Sequence, residues 1–152
     1  MVGADLPTGG KVQSGQATMA LSGSSLTVSQ ASSKLVVDWD GFSVGQGNKV
    51  QFIQPSSTSV VLNRVVGADP SVIRGSIQAN GQVFLVNTNG VFFTSTSRVD
   101  VGGLVASTLS ISDDDFLAGR YRFASSGQGS VINEGSLNAP GGFVAMIAAK
   151  VG

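Results

Sequence analysis

The ten residues Gly75–Phe84 recur at Gly135–Val144, sixty positions further on. Both segments read Gly-Ser-aliphatic-amide-Ala-x-Gly-x-apolar-apolar, and shorter echoes begin at Gly47 and Gly129. Self-similarity at a fixed offset is the signature of a chain that stacks one small unit on the next. The offset is read as three coils of roughly 20 residues each, the lower end of solenoid repeat lengths.

The units are β. Runs such as Lys34–Val37, Lys49–Ile53, Ser59–Leu62, Gln82–Val86 and Gly90–Thr94 are rich in Val, Ile, Phe and Thr. Gly, Asn, Asp, Ser and Pro interrupt them every few residues, which sets strand-length segments between turns. One helix is expected, over Asp113–Gly119, with acids at its start and Gly at its end. In a parallel β-solenoid the strands bond between coils, apolar side chains point inward and small polar ones outward. Phe84, Phe92 and Phe143 are expected inside. An antiparallel sandwich uses the same short strands, but the long-range repeat favours the solenoid. The whole of residues 1–152 is read as one domain, with residues 1–5 either disordered or added ahead of it.

Composition removes much chemistry. There is no His, no Cys and a single Glu, and only 12% of residues are charged. Imidazole bases, thiolate nucleophiles, zinc knuckles and disulfides are therefore absent. Nine basic residues balance nine acidic ones, so no basic excess points to nucleic acid. No signal peptide or membrane-spanning run is visible; the most apolar run, Phe143–Ala149, is far short of the ~20 residues that span a bilayer. Neither catalytic residues, a metal site, a cofactor nor a small-molecule substrate is expected.

Four motifs stand out. Asn63-Arg64-Val65-Val66-Gly67 follows a buried-looking strand; Asn63 is read as capping a corner by accepting backbone N–H groups, and Arg64 as pairing with Asp69, its nearest acid. Asn87-Thr88-Asn89-Gly90 reads as a type I turn closed by the Asn87 side chain. Asp38-Trp39-Asp40 reads as a strand with Trp39 in the core and both carboxylates on the other side, in preference to a calcium or sugar site. Asp113-Asp114-Asp115 lacks the alternating ligands of a calcium loop and reads as a helix start.

These motifs, together with Trp39-Asp40-Gly41-Phe42-Ser43-Val44-Gly45, Gly47–Pro55, Ile77–Val83, Asn87–Val91 and Gly103–Thr108, give the chain a family resemblance. From about Leu6 to its last residue it resembles the two-partner-secretion, or haemagglutination-activity, domain at the N-terminus of filamentous-haemagglutinin-like exoproteins of Gram-negative bacteria. The family pattern has Pro where this chain has Thr88; Thr is compatible with that turn position.

The resemblance implies an all-β, right-handed parallel β-helix with an N-terminal cap and extra-helical strands. It implies a non-enzymatic domain that addresses a large exoprotein to its outer-membrane transporter, whose periplasmic POTRA domains bind the chain while it is extended. Folding then starts outside the cell, so the location is secreted or cell-surface after transit through the periplasm. The residues it marks for recognition or structure are Asn63, Arg64, Val65, Val66, Gly67, Asn87, Thr88, Asn89 and Gly90. The full protein would be an adhesin, a haemolysin or a contact-dependent growth-inhibition effector, of which this is expected to be an N-terminal, monomeric piece. The other class considered is a free-standing carbohydrate-binding adhesin module. A Cys-free chain of low charge suits passage through an oxidising periplasm and a narrow pore.

Overall fold

The computed structural model describes residues 6–124, 129–140 and 142–148. The expected lead of residues 1–5, Gly141 of the repeat, and the end of the Val144–Val151 coil lie outside the described residues.

The chain opens with β1 (Lys11–Ser14) and β2 (Ala17–Ser22), then enters the coils through β3 (Ser25–Gln30) and β4 (Lys34–Trp39). The second coil is β5 (Lys49–Ile53), β6 (Val60–Val65) and β7 (Ser71–Ile73); the third is β8 (Ser76–Ala79), β9 (Gln82–Val86) and β10 (Val91–Phe93). Then come β11 (Arg98–Asp100), β12 (Gly103–Ser107), the helix α1 (Asp113–Leu117), and β13 (Val131–Asn133). A last pair, β14 (Ser136–Asn138) and β15 (Val144–Ile147), continues the stack.

Successive coils stack into three sheets. The first is ordered β1-β4-β6-β9-β12-β15, the second β13-β10-β7, and the third β14-β11-β8-β5-β3-β2. Every coil-to-coil pairing is parallel; only β1 on β4 and β2 on β3 are antiparallel, and these two pairs form the N-terminal cap. The parallel β-helix and the cap expected from the sequence are therefore present.

The offset of sixty proves to be two coils and not three. Ser76, Arg98 and Ser136 are stacked in register. The first step spans 22 residues and the second 38, because the segment bearing α1 is inserted between β12 and β13. The repeated glycine has a steric cause. A Cβ on Gly75 would run into the carbonyls of Gly45 and Asn48 in the coil below, and one on Gly135 would run into Ser97.

The interior is a column of buried residues, including Val50, Ile77 and Val99 from the third sheet, Ile73, Phe93 and Val131 from the second, and Val61, Val83 and Leu104 from the first. A second cluster lies on the outer side of the first sheet. Val36, Val60, Leu62, Phe84, Val86 and Val105 are covered there by Ile111, Phe116 and Phe123 of the inserted segment. We call residues 109–124 the strap.

Three side chains expected inside behave differently. Phe84 is buried, but beneath the strap, its ring edge-on to Phe116 at 5.5 Å and to Tyr121 at 4.9 Å. Phe93 takes the interior place expected for Phe92, which is only half-buried. Phe143 lies outside, 42% exposed. Phe84 and Phe92 sit on the face opposite the expected one, since neighbours along a strand alternate sides; Phe143 lies just ahead of β15, outside the strand.

Candidate functional site

Asn63 and Arg64 are consecutive on β6 and therefore point to opposite faces of the first sheet. Asn63 points inward and is completely buried, flanked in register by Val37 below and Leu85 above. Its Oδ1 accepts from Trp39 Nε1 at 3.0 Å, and its Nδ2 donates to the Phe84 carbonyl at 3.2 Å. One amide thus joins the coil before it to the coil after it. This corrects the corner cap expected from sequence: Asn63 stands within a strand and bonds an indole and a backbone carbonyl, not nearby backbone N–H groups.

Arg64 points outward and is mostly covered. Its guanidinium lies 2.9 Å from Asp38, its register partner on β4, and 2.7 Å from Asp113 of α1. It also donates to the Ile111 carbonyl at 3.4 Å. The expected partner, Asp69, is not used; its backbone carbonyl instead receives the Asn87 amide. Burial works against the Arg64 charge, but hydrogen bonds and attraction from Asp113 and Asp38 outweigh it and raise the pKa further above its ordinary value. Asp38 and Asp113 were not identified from sequence as its partners. The cross-strand offset of 26 residues becomes visible only once the coil length is known.

Val65 is a buried interior residue and Val66 is exposed. Gly67 is packed so closely that a Cβ would strike the Asp40 carbonyl. The second motif is stacked directly on this corner. Asn87 Nδ2 donates to the Asp69 carbonyl at 3.0 Å and to Ser71 Oγ at 2.9 Å, while Asn89 Nδ2 reaches the Gly67 carbonyl at 2.9 Å. Asn87 Oδ1 accepts from the Asn89 N–H at 2.9 Å, and the Gly90 N–H closes the turn on the Asn87 carbonyl at 3.1 Å. This is the turn read from sequence, with Thr88 and Asn89 at its two central positions and Gly90 at φ 128°.

The two motifs therefore form one structure on successive coils, joined by the Asn89–Gly67 and Asn87–Asp69 bonds. Trp39 packs in the core beside Phe42, with Asp38 facing out toward Arg64, as the strand reading required. Asp113 and its neighbours start α1, where the Ser112 side chain accepts from the Asp115 N–H. No group of three acidic side chains able to hold a metal occurs among the described residues. The corner offers buried amides, a paired cation and close backbone packing. It has no nucleophile with an adjacent base.

A capped parallel β-solenoid with a buried asparagine staple is a scaffold, and comparison with known proteins gives its class. The TPS secretion domain model matches residues 3–152, and the chain belongs to that family of two-partner-secretion domains. Two relatives are heme/hemopexin-binding proteins of Haemophilus influenzae. One is 41% identical over 104 residues, covering 68% of this chain and 12% of the relative; the other is 39% identical, covering 64% and 11%. The chain thus spans about an eighth of the length of these relatives. The crystal structure of the HMW1 secretion domain from Haemophilus influenzae superposes with a TM-score of 0.89 at 29% identity, covering 95% of this chain and 40% of that one. The role is in two-partner secretion, and proteins with this domain are secreted exoproteins.

Proposed function

We propose that this domain is the address by which a longer exoprotein is handed to its outer-membrane transporter, and that its coils seed β-helix folding outside the cell. Family membership over nearly the whole chain carries this reading. The transporter's periplasmic POTRA domains bind the segment in extended form, the domain acts as a monomer, and it turns over no substrate.

The fold supports an address read before folding. Asn63 and Asn87 are both completely buried, and Arg64 is held between two acids. Their side chains are free for a partner only in the extended chain. Once the coils close, the same groups are spent on Trp39, Phe84, Asp38, Asp113 and Ser71. Folding thus removes the address from circulation and favours outward transfer.

The test compares Asn63→Ala with Val83→Ala, an interior change on β9 that belongs to neither motif and faces Val61 in register. Secretion is measured in cells carrying the partner transporter, and stability by melting of each purified variant. Asn63→Ala is expected to lower secretion more than Val83→Ala at matched stability. Equal secretion at equal stability would leave Asn63 a structural role only.

A further inference from the structure

One sizeable cavity is unconnected with the two motifs. It is an open groove of about 650 Å³ along the corner between the third and first sheets, from Thr58 past Asn80 and Asp100 to Asn138 and Phe143. A second cavity of about 540 Å³ adjoins it and shares Asn80 and Asp100, extending the depression along the third sheet past Gln78. Together they cross four successive coils. At about 4.8 Å per coil the floor is roughly 14 Å long, and both volumes fall in the usual range of ligand sites.

The lining is specific in kind. Gln78, Asp100 and Asn138 stack in register on the outer side of the third sheet, one coil apart. The Gln78 amide has no side-chain hydrogen bond among the described residues. Asp100 accepts from Asn138 at 3.3 Å and lies 3.4 Å from Arg98, both long, so its oxygens retain capacity to accept. At the far end the Phe143 ring lies against Gly103, where a Cβ would approach it to 3.1 Å, and remains 42% exposed.

We propose that this groove binds a neutral oligosaccharide, with the apolar face of one sugar ring on Phe143 and hydroxyls bonded to Asp100 and Gln78. A carboxylate beside side-chain amides offers the mixed acceptors and donors that neighbouring hydroxyls need. An exposed aromatic ring supplies an apolar platform with a polarised face. Other ligand classes fit poorly. The one charged side chain lining the groove, Asp100, is paired with Arg98, so the local charge is balanced and gives a polyanion or a polycation no net attraction. The floor strands β5, β8 and β11 already bond the coils on either side, and along the groove only the terminal β14 has an unpaired edge among the described residues, so the length of the floor offers no edge to a peptide strand. A single carboxylate does not make a hard-cation site.

The test is ligand-observed saturation-transfer NMR on the 152-residue chain, with cellohexaose, maltohexaose and fully N-acetylated chitohexaose, all neutral, each at up to about 10 mM, a range that detects millimolar binding. At least one is expected to bind, with Phe143→Ala and Asp100→Asn each weakening it about tenfold or more and Val12→Ala, on the distant cap, leaving it unchanged. Melting curves check each fold. If Phe143→Ala loosens the corner, the surface change Asp100→Asn decides alone. No transfer from all three sugars overturns the proposal, and so does binding that Asp100→Asn leaves intact.

Discussion

The inside of the coils and the patch beneath the strap are both apolar, yet they are built from different kinds of contact. The inside is closed by the coils themselves: each residue meets its counterpart one coil above and below, as Val83 meets Val61 and Leu104. The patch is closed by a single segment from elsewhere in the chain. Phe116 and Tyr121 cover Phe84 from outside, and Arg64, Asp38 and Asp113 lock the segment down, aided by Lys34 Nζ on the Leu117 carbonyl at 2.7 Å. The first core should melt with the fold, whereas the second should open without it. Local opening of an element held by few contacts is the general expectation.

The largest effect separates the two directly. Phe93→Ala inside the coils should cost about 3–5 kcal/mol and lower the one cooperative melting transition. Phe116→Ala removes a ring of the same size, but its loss should fall on the strap. Proteolysis should then cut within residues 109–124 while amide exchange in β6, β9 and β12 stays slow. Fast exchange in those strands would merge the two cores into one unit.

A smaller effect tests the polar residue inside. Asn63→Ala leaves the Trp39 N–H and the Phe84 carbonyl without their partner, at about 1–3 kcal/mol. Because Trp39 is the sole tryptophan, its fluorescence should report the change, and an unaltered emission spectrum with unaltered melting would contradict the staple.

Thr88→Pro should act in the opposite direction. The Thr88 N–H meets no acceptor among the described residues, and Pro suits the first central position of a type I turn. A gain of about 0.4–1 kcal/mol follows from reduced freedom of the unfolded chain. A lower melting temperature would show that the Asn87 geometry does not tolerate Pro after it.

The smallest effect concerns pH. Hydrogen bonds from Arg122 and Arg120, each at 3.0 Å, hold the Asp115 carboxyl below its ordinary pKa. A lowered folded-state pKa means the contribution is fully present above the ordinary Asp value of about 3.9 and is lost as pH falls through the lowered value. Acid should therefore loosen the strap's end, seen as faster proteolysis there. Asp115→Asn should remove that part of the pH dependence.

Much of this was legible beforehand. The β-solenoid followed from the repeat, the α1 position from its acids and glycine, and the turn at Asn87–Gly90 from its residue types. The inward place of Trp39 followed from strand alternation. What misled was the assumption of one buried face per strand. β9 and β12 are buried almost throughout because the coil interior lies on one side and the strap on the other. A strand covered on both faces reads as a continuous apolar run and loses its alternation. Phe84 was therefore assigned to the wrong side.

Sequence alone determined what depends on neighbours along the chain: strand and turn types, the capped helix, the lack of imidazole and thiol groups and, through the repeated glycine, the stacking of coils. Tertiary structure decided what depends on coil length. The inserted strap made the repeat two coils of 22 and 38 residues, and this spacing fixes which side chains meet. Asn63 became a staple between Trp39 and Phe84, and Arg64 found Asp38 and Asp113 in place of Asp69. In a solenoid the partner of a residue lies one turn away, and the length of each turn is set by the loops and insertions between strands.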